Sequence, residues 1–179
     1  MQRKTSKTLT LCALLCLQTL VSVQTFGQGR ADLDRLDLQI RNHFQTALPG
    51  WTYRRVEPFT PGSNILIEVW SNANRTVKVA ISVNQSVQTA KDELKHFVQS
   101  VRGPEALKGF GDEAYTSGLE SSDIVLRRGR YVIYINTFAE VEGDTDAATL
   151  TRSERSERRK TDQQRISKEF ARHVIETEL

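Results

Sequence analysis

The sequence has few cysteines and histidines, the residues that form disulfide bonds and bind metal ions. It has only two cysteines, Cys12 and Cys16, and three histidines. Both cysteines lie in one apolar run near the N-terminus, so the rest of the chain has no disulfide, no thiol nucleophile and no cysteine ligand. His43, His96 and His173 each lie on a different predicted helix, with no second histidine three or four residues away to share an ion. The sequence therefore predicts no metal site and no cofactor.

The common catalytic signatures are also missing. There is no G-x-S-x-G elbow, no G-x-x-x-x-G-K-[ST] loop and no H-E-x-x-H helix. Gly109 to Ala114 matches the dinucleotide fingerprint G-x-G-x-x-A by letter, but that motif needs a strand before it and a helix after it, and Gly103-Pro104 lies upstream. We interpret the string as a tight glycine turn that places Phe110 and Tyr115 in the core and lets the next aspartate accept backbone N–H bonds.

No acidic residue occurs before Asp32, and the N-terminal segment has the composition of a secretory signal peptide. Three basic residues precede an apolar run from Leu9 to Val23, as in the basic and apolar regions of such a signal. The run is short for a membrane span, which needs about 20 apolar residues. We therefore predict that residues 1–27 are a cleaved signal peptide and that the protein is secreted or periplasmic; an uncleaved membrane anchor is the alternative.

Removal of this segment balances the charge of the chain. It takes three of the 25 Lys and Arg residues and none of the 22 Asp and Glu residues, which leaves 22 of each sign. A neutral chain has no general attraction for polyanions, so we expect no nucleic acid and no membrane as a partner after cleavage. Leu11 and Leu15 precede the two cysteines where a lipoprotein signal needs small residues, so we expect no lipid anchor.

Apolar residues at helical spacing predict three helices. The first follows Asp32 and ends at Pro49-Gly50, the second follows the N-cap Ser86 and ends at Gly103-Pro104, and the third begins near Thr161. Strands are predicted between them at residues 51–56, 64–70, 75–83, 115–118 and 123–138.

Alternation along the strands predicts which residues share a sheet face. One face is expected to be a continuous apolar row of Ile65, Ile67, Val69, Val77, Val79, Ile81 and Val83. The opposite face is expected to be mixed and only partly covered, with Leu66, Glu68, Trp70, Thr76, Lys78, Ala80 and Ser82.

The clearest local signal is a β-hairpin from Asp123 to Phe138. We predict that Arg128-Gly129 forms its two-residue loop, because glycine supplies the positive φ that such loops need. That loop would place Leu126 opposite Tyr131. It would also pair Ile124 with Ile133 and Val125 with Val132.

Hairpins together with separate amphipathic helices predict an α+β fold, in which helices pack on an antiparallel β-sheet. A single domain over residues 28–179 is expected. The strings GFGDEAY, IVLRRGRYVIYI and ISKEFARHVIETEL resemble, over about the last 75 residues, exported bacterial proteins of poorly defined function. These include LpqN-like mycobacterial lipoproteins and extracellular sensor domains of receptor kinases. The resemblance implies a PsbP-like α/β sandwich and supplies no catalytic residues. This chain lacks the acylation cysteine of the lipoprotein members.

Residues 140–160 change composition from acidic to basic, and we predict an extended, solvated linker there. Glu140, Glu142, Asp144 and Asp146 alternate like calcium ligands, but the glycine and glutamate that an EF-hand requires at its sixth and twelfth positions are threonines here. The basic residues from Arg152 to Lys160 lack the interleaved aromatic residues that stack bases.

These observations favour a non-catalytic exported binding or accessory module whose partner is an unknown protein or small ligand. We expect binding through the mixed sheet face and the hairpin tip. The candidate binding residues are Trp70, Lys78, Arg127, Arg128, Arg130 and Tyr134. The alternatives are an exported enzyme of unrecognised type and a calcium-dependent interaction module.

Overall fold

A computed structural model of the chain describes residues 30–60, 62–117, 122–139 and 150–177. These residues form an α+β fold with helices packed on an antiparallel sheet, which confirms the predicted fold class. The helices and strands are α1 (residues 30–47), β1 (Thr52–Val56), β2 (Ile65–Asn72), β3 (Arg75–Val83), α2 (Val87–Ser100), β4 (Glu105–Ala106), β5 (Glu113–Ser117), β6 (Asp123–Arg128), β7 (Tyr131–Ala139) and α3 (Arg152–Glu176). None of the helices in these ranges has the length and apolar character that a membrane span requires.

The described strands form one seven-stranded sheet in the order β1-β2-β3-β7-β6-β5-β4, and each neighbouring pair is antiparallel. Consecutive strands pair within each half of the sheet. The halves join where β3 pairs with β7 over nine residue pairs, from Arg75 opposite Ala139 to Val83 opposite Tyr131. This seam brings together segments far apart in sequence.

One face of the sheet carries the main core, beneath α1 and α3. The Phe44 ring on α1 lies 5.2 Å from that of Phe170 on α3 and 5.0 Å from that of Trp70 on β2. Both helices present an apolar stripe at helical spacing, as predicted. The buried residues of the two stripes are Leu33, Leu36, Ile40, Phe44, Leu48, Ile166, Phe170, Ala171 and Val174.

The other face is covered by α2 over one half only. The helix begins after Ser86, whose side chain accepts a hydrogen bond from the backbone N of Thr89, as predicted for this N-cap. Ala90 and Leu94 of α2 form a small buried cluster with Val125 and Val132 of the central hairpin. The strands from β1 to β3 contribute no residue to that cluster.

The predicted assignment of β2 to the two faces is wrong. Directly opposed residues of an antiparallel pair share a face, and β2 pairs Leu66 with Ile81 and Trp70 with Val77. The buried row therefore contains Leu66, Glu68 and Trp70, whereas Ile65, Ile67 and Val69 lie on the opposite face. Alternation defined the two rows of β2, but only the register with β3 decides which row faces the helices.

The central hairpin forms between the predicted strands, but its loop lies one residue later than predicted. Arg128 pairs with Tyr131 and Leu126 pairs with Ile133, so Gly129 and Arg130 form the loop. Gly129 has a φ of 56°, and glycine with positive φ at the first loop position is the arrangement of a type II′ turn. Each predicted pairing across the hairpin is consequently displaced by two residues.

The prediction of an extended linker is wrong for its basic half, because α3 begins at Arg152 rather than near Thr161. Thr151 caps the helix: its Oγ1 accepts a hydrogen bond from the backbone N of Glu154, and Oε2 of Glu154 accepts one from the backbone N of Thr151. This capping box satisfies two backbone N–H groups at the start of the helix. The signal peptide and the acidic run of residues 140–146 lie outside the described residues.

Candidate functional site

The half of the sheet that α2 leaves uncovered is here called the open face. It lies on the outer side of β1, β2 and β3 and continues onto the end of β7. Its residues are Thr52, Arg54, Val56, Ile65, Ile67, Val69, Ser71, Thr76, Lys78, Ala80, Ser82, Asn136 and Phe138. Ile65 is 38% exposed and Phe138 is 55% exposed, although large apolar side chains are usually buried.

The strand register arranges the centre of the open face in two rows. Val56, Ile67 and Ala80 lie side by side and form an apolar row. The next row places Arg54, Val69 and Lys78 side by side, so two cations flank one apolar residue. The strands β1, β2 and β3 place no acidic side chain on this face, because Glu68 points to the core. The centre of the face is thus apolar with two exposed cations, and the polar residues Thr52, Ser71, Thr76 and Ser82 lie at its margins.

Among the candidate binding residues, Lys78 and Tyr134 lie on this side of the sheet. Lys78 is exposed and pairs with Val69 and Asn136. Tyr134 lies at the border with α2, where its hydroxyl donates a 2.9 Å hydrogen bond to Oε1 of Glu93. Burial and this hydrogen bond raise the pKa of the Tyr134 phenol.

Trp70 is not on the open face with Lys78, which corrects the sequence-based grouping. It is fully buried on the core face, between Phe44 and Tyr53. Its indole Nε1 donates a 2.9 Å hydrogen bond to Oε2 of Glu68, which is also fully buried. Trp70 therefore belongs to the core.

Glu68 belongs to a polar group between α1 and β1. Burial raises the pKa of Glu68 to about 8, an effect that the hydrogen bond from Trp70 opposes. Nearby, Asp37 accepts a hydrogen bond from the Tyr53 hydroxyl and pairs with Arg55 at 3.5 Å. Burial and the contact with Asp37 raise the pKa of Tyr53. This group lies on the core side of the sheet, opposite the open face, with Glu68 and Asp37 buried and Tyr53 and Arg55 half-buried.

The predicted basic hairpin tip does not form one surface. Arg127 is buried and pairs with Asp112 at 2.6 Å and Glu113 at 3.1 Å. Asp112 also accepts a hydrogen bond from the backbone N of Gly129, as the glycine-turn interpretation of this string predicts. Phe110 is buried as predicted. Arg127 therefore fixes the glycine turn to the hairpin.

The other two arginines of the tip hold helices in place. Arg128 donates a 3.1 Å hydrogen bond to the carbonyl of Thr177, just after α3 ends. Arg130 pairs with Asp32 of α1 at 2.7 Å, and this pairing raises the pKa of Arg130. From the sequence alone, a solvated turn is the favoured interpretation of these three residues. All three arginines instead have structural partners.

A second cluster forms where α1 and α3 meet, and we call it the His–Glu cluster: His43, His173 and Glu176. Nε2 of His43 lies 3.3 Å from Nδ1 of His173 and 3.6 Å from Oε2 of Glu176. Nδ1 of His173 lies 3.2 Å from the same oxygen. These three atoms could together hold a metal ion. His43 and His173 are half-buried, and Glu176 is exposed.

Sequence patterns missed this cluster because its histidines are 130 residues apart. His173 and Glu176 are three residues apart on one helix, which places them on one face, but a His-x-x-Glu pair is a weak signal alone. His96 remains on exposed α2, and no group of metal-ligand type that includes it occurs in the described ranges.

A small cleft lies between the β4–β5 edge and α3. It has a volume of about 160 Å³ and is lined by Glu105, Ala106, Leu107, Thr116, Gln164 and Lys168. Ligand pockets usually measure about 300–1,000 Å³. Glu68, the carboxyl group with the strongly raised pKa, does not line this cleft.

Comparisons with protein-family models, with curated proteins and with solved structures find no match to this chain.

Proposed function

We propose that this chain is a non-catalytic exported binding module, and that its partner is a protein whose contact surface is apolar and carries acidic groups. The observation that supports the proposal is the open face, where a half-buried apolar row lies beside the exposed Arg54 and Lys78. Ile65 and Phe138 on the same face are exposed. Exposed apolar surface on a folded domain commonly marks an interaction site.

The shape of the open face favours a protein partner over a small ligand. Small molecules bind in concave pockets that bury most of their surface, whereas the open face is the outer surface of three paired strands. Protein interfaces combine an apolar centre with a polar rim. Ile67 lies at the centre of such an arrangement, with Arg54 and Lys78 in the adjacent row.

The charges of the open face indicate the complementary surface. Arg54 and Lys78 flank Val69 without an acidic side chain from the same three strands. Charge complementarity steers encounter and suppresses unsuitable partners. A partner with acidic residues beside an apolar patch would complement both the cations and the apolar row of the open face.

Site-specific photo-crosslinking tests this proposal. A crosslinking amino acid at position 67 should capture a protein from the exported fraction, whereas one at Leu38, which is 47% exposed on α1, should not. With the captured protein purified, the double variant Arg54→Glu, Lys78→Glu should lower its affinity about tenfold or more. The matched double variant Lys91→Glu, Lys95→Glu on exposed α2 should bind like the unmodified chain.

Charge reversal on the partner completes the test. Acid-to-lysine changes in the captured surface should restore binding to the Arg54→Glu, Lys78→Glu variant. Equal capture from positions 67 and 38, or equal affinities for the two double variants, would show that the open face is not the binding surface.

A further inference from the structure

We infer that His43, His173 and Glu176 form a binding site for a divalent transition metal ion, and that Zn²⁺ is the ion that suits it. The site joins the last turns of α1 and α3. It does not involve the open face, so this inference is independent of the binding function proposed above.

The distances between the three ligand atoms match tetrahedral coordination of one ion. Zinc binds histidine nitrogen and carboxylate oxygen at about 2.0–2.2 Å, which places neighbouring ligands of a tetrahedral site about 3.3–3.5 Å apart. The measured separations are 3.3, 3.6 and 3.2 Å. One ion can therefore contact all three atoms without movement of either helix.

The chemistry of the ligands selects the class of ion. Two imidazoles and one carboxylate suit zinc and similar transition metals. Calcium and magnesium prefer sites made of oxygen ligands. The calcium hypothesis from the sequence rests on residues 140–146, which lie outside the described residues.

A bound metal ion would also explain why the two histidine nitrogens face each other. Nε2 of His43 faces Nδ1 of His173 at 3.3 Å, and a hydrogen bond there requires that only one of the two nitrogens carries a hydrogen. An ion accepts lone pairs from both nitrogens, while the Glu176 carboxylate offsets part of its charge.

The surrounding contacts hold the ligands in place. His173 accepts hydrogen bonds through its carbonyl from the backbone N and the Oγ1 of Thr177. Arg128 donates to the carbonyl of Thr177, which fixes the end of α3. The His43 ring lies against Phe44 at 6.1 Å between centroids. The site is thus positioned by the core on one side and the hairpin on the other.

The outer side of the cluster is accessible. The side chains of His43, His173 and Glu176 are 34%, 22% and 57% exposed. An ion can enter from solvent, and three protein ligands leave one tetrahedral position for water or a group from another molecule.

Metal titration of the purified, tag-free chain tests the site, with Co²⁺ as a spectroscopic probe and Zn²⁺ as competitor. We expect one Co²⁺ per chain with the visible absorption of tetrahedral coordination, displaced by Zn²⁺. His43→Ala and His173→Ala should each weaken binding about tenfold or more, because each removes one of three ligands. His96→Ala, at an exposed histidine outside the cluster, should not change it.

Thermal unfolding supplies an independent measurement, because an ion that binds only the folded chain raises its Tm. Zn²⁺ should raise the Tm of the unmodified chain and of His96→Ala, and should raise that of Glu176→Gln less. Glu176 is exposed, so this variant keeps the test valid if a histidine replacement prevents folding. Absence of stoichiometric Co²⁺ binding, or binding that the cluster variants leave unchanged, would overturn the proposal.

Discussion

The indole of Trp70 donates a 2.9 Å hydrogen bond to the carboxyl group of Glu68, and both side chains are fully buried on the core face of β2. The bond reaches Oε2 of Glu68, while Oε1 is buried without a hydrogen-bond partner among the described residues. A carboxylate in this position would lack the solvation that its charge requires. Burial accordingly raises the pKa of Glu68 to about 8, so the group is mostly uncharged at neutral pH.

We predict that Glu68 makes the stability of the protein fall as the pH rises. Its pKa in the folded chain, about 8, lies above its ordinary value of 4.5. The folded state therefore holds a proton that the unfolded state releases. The associated stability is complete below the ordinary pKa and is lost as pH rises through about 8, by at most about 1.4 kcal/mol per pH unit.

Glu68→Gln should remove this dependence, because glutamine resembles the protonated acid and does not titrate. Urea unfolding at about pH 5 should give similar free energies for both chains, and at about pH 9 the variant should be more stable by a few kcal/mol. Glu57→Gln, at an exposed position, is the control. Parallel stability curves for the unmodified chain and Glu68→Gln would show that Glu68 ionises normally.

Gly111 and Gly129 both have positive φ, 63° and 56°, but differ in the space around them. A Cβ on Gly129 would meet no atom within 4 Å, whereas one on Gly111 would lie 2.5 Å from the carbonyl oxygen of Arg127. Gly129→Ala should cost about 1–2 kcal/mol, from the backbone conformation alone. Gly111→Ala should cost at least about 1 kcal/mol more. Equal losses in urea unfolding would mean that the turn around Gly111 shifts freely.

Arg127 should tolerate replacement better than the loss of its partners. Its side chain is 6% exposed, while those of Asp112 and Glu113 are 47% and 42% exposed. Arg127→Met leaves two carboxylates that water can solvate, so we expect a loss of about 1 kcal/mol. Asp112→Ala with Glu113→Ala leaves a buried guanidinium without a counter-ion, which should cost about 3 kcal/mol or more. The opposite order in chemical denaturation would contradict this account.

The capping box at Thr151 should protect the basic start of α3 from trypsin. Residues 152–162 of α3 contribute no fully buried side chain, so the cap contributes a large share of what holds their first turn in the helix. Thr151→Ala removes the hydrogen bond to the backbone N of Glu154 and should speed cleavage after Arg152 and Arg155 several-fold. The Tm should stay nearly unchanged, because the core contacts of α3 begin later. A drop in Tm without faster cleavage would show that the cap acts on the whole fold.

Export can be checked from the mature N-terminus. We predict cleavage between about Gln24 and Ala31 on the basis of the basic and apolar regions of residues 1–23. Such a cut keeps Asp32, whose pair with Arg130 ties α1 to the hairpin. Mass spectrometry of the secreted or periplasmic protein measures the end directly. Intact Met1 protein in the membrane fraction would contradict the prediction.

Local patterns predicted most of the elements, but the features that require register or distant contacts were missed. Period-2 alternation located β2 and β3, yet both rows of β2 are largely apolar, and the row that contains Glu68 is the buried one. Glu68 can be buried because it is protonated and hydrogen-bonded to Trp70. Strand propensities are assigned to single residues and do not include such a pair.

Two other features that the prediction missed, the start of α3 and the hairpin loop, do have a signal in the sequence. The string from Thr151 to Glu154 has the T-x-x-E form of a capping box, whereas the high charge of the surrounding segment favours a linker. Gly129 was assigned to the second loop position of the hairpin, although glycine at the first position is the type II′ pattern. The meeting of His43 and His173 had no comparable signal, because it depends on how α1 and α3 pack.

The pairing of β3 with β7 sets the order of events during synthesis. Before β7 and α3 emerge, the first half of the chain can form only the β1–β2–β3 meander and α1, with Phe44 and Trp51 lacking the Phe170 ring that lies 5.2 and 4.8 Å from theirs. Contacts so distant in sequence close late. The protein therefore stays short of its native state until the 25 residues of α3 can pack on the sheet, and a chain truncated before α3 should be a target for chaperones and proteases rather than a smaller folded domain.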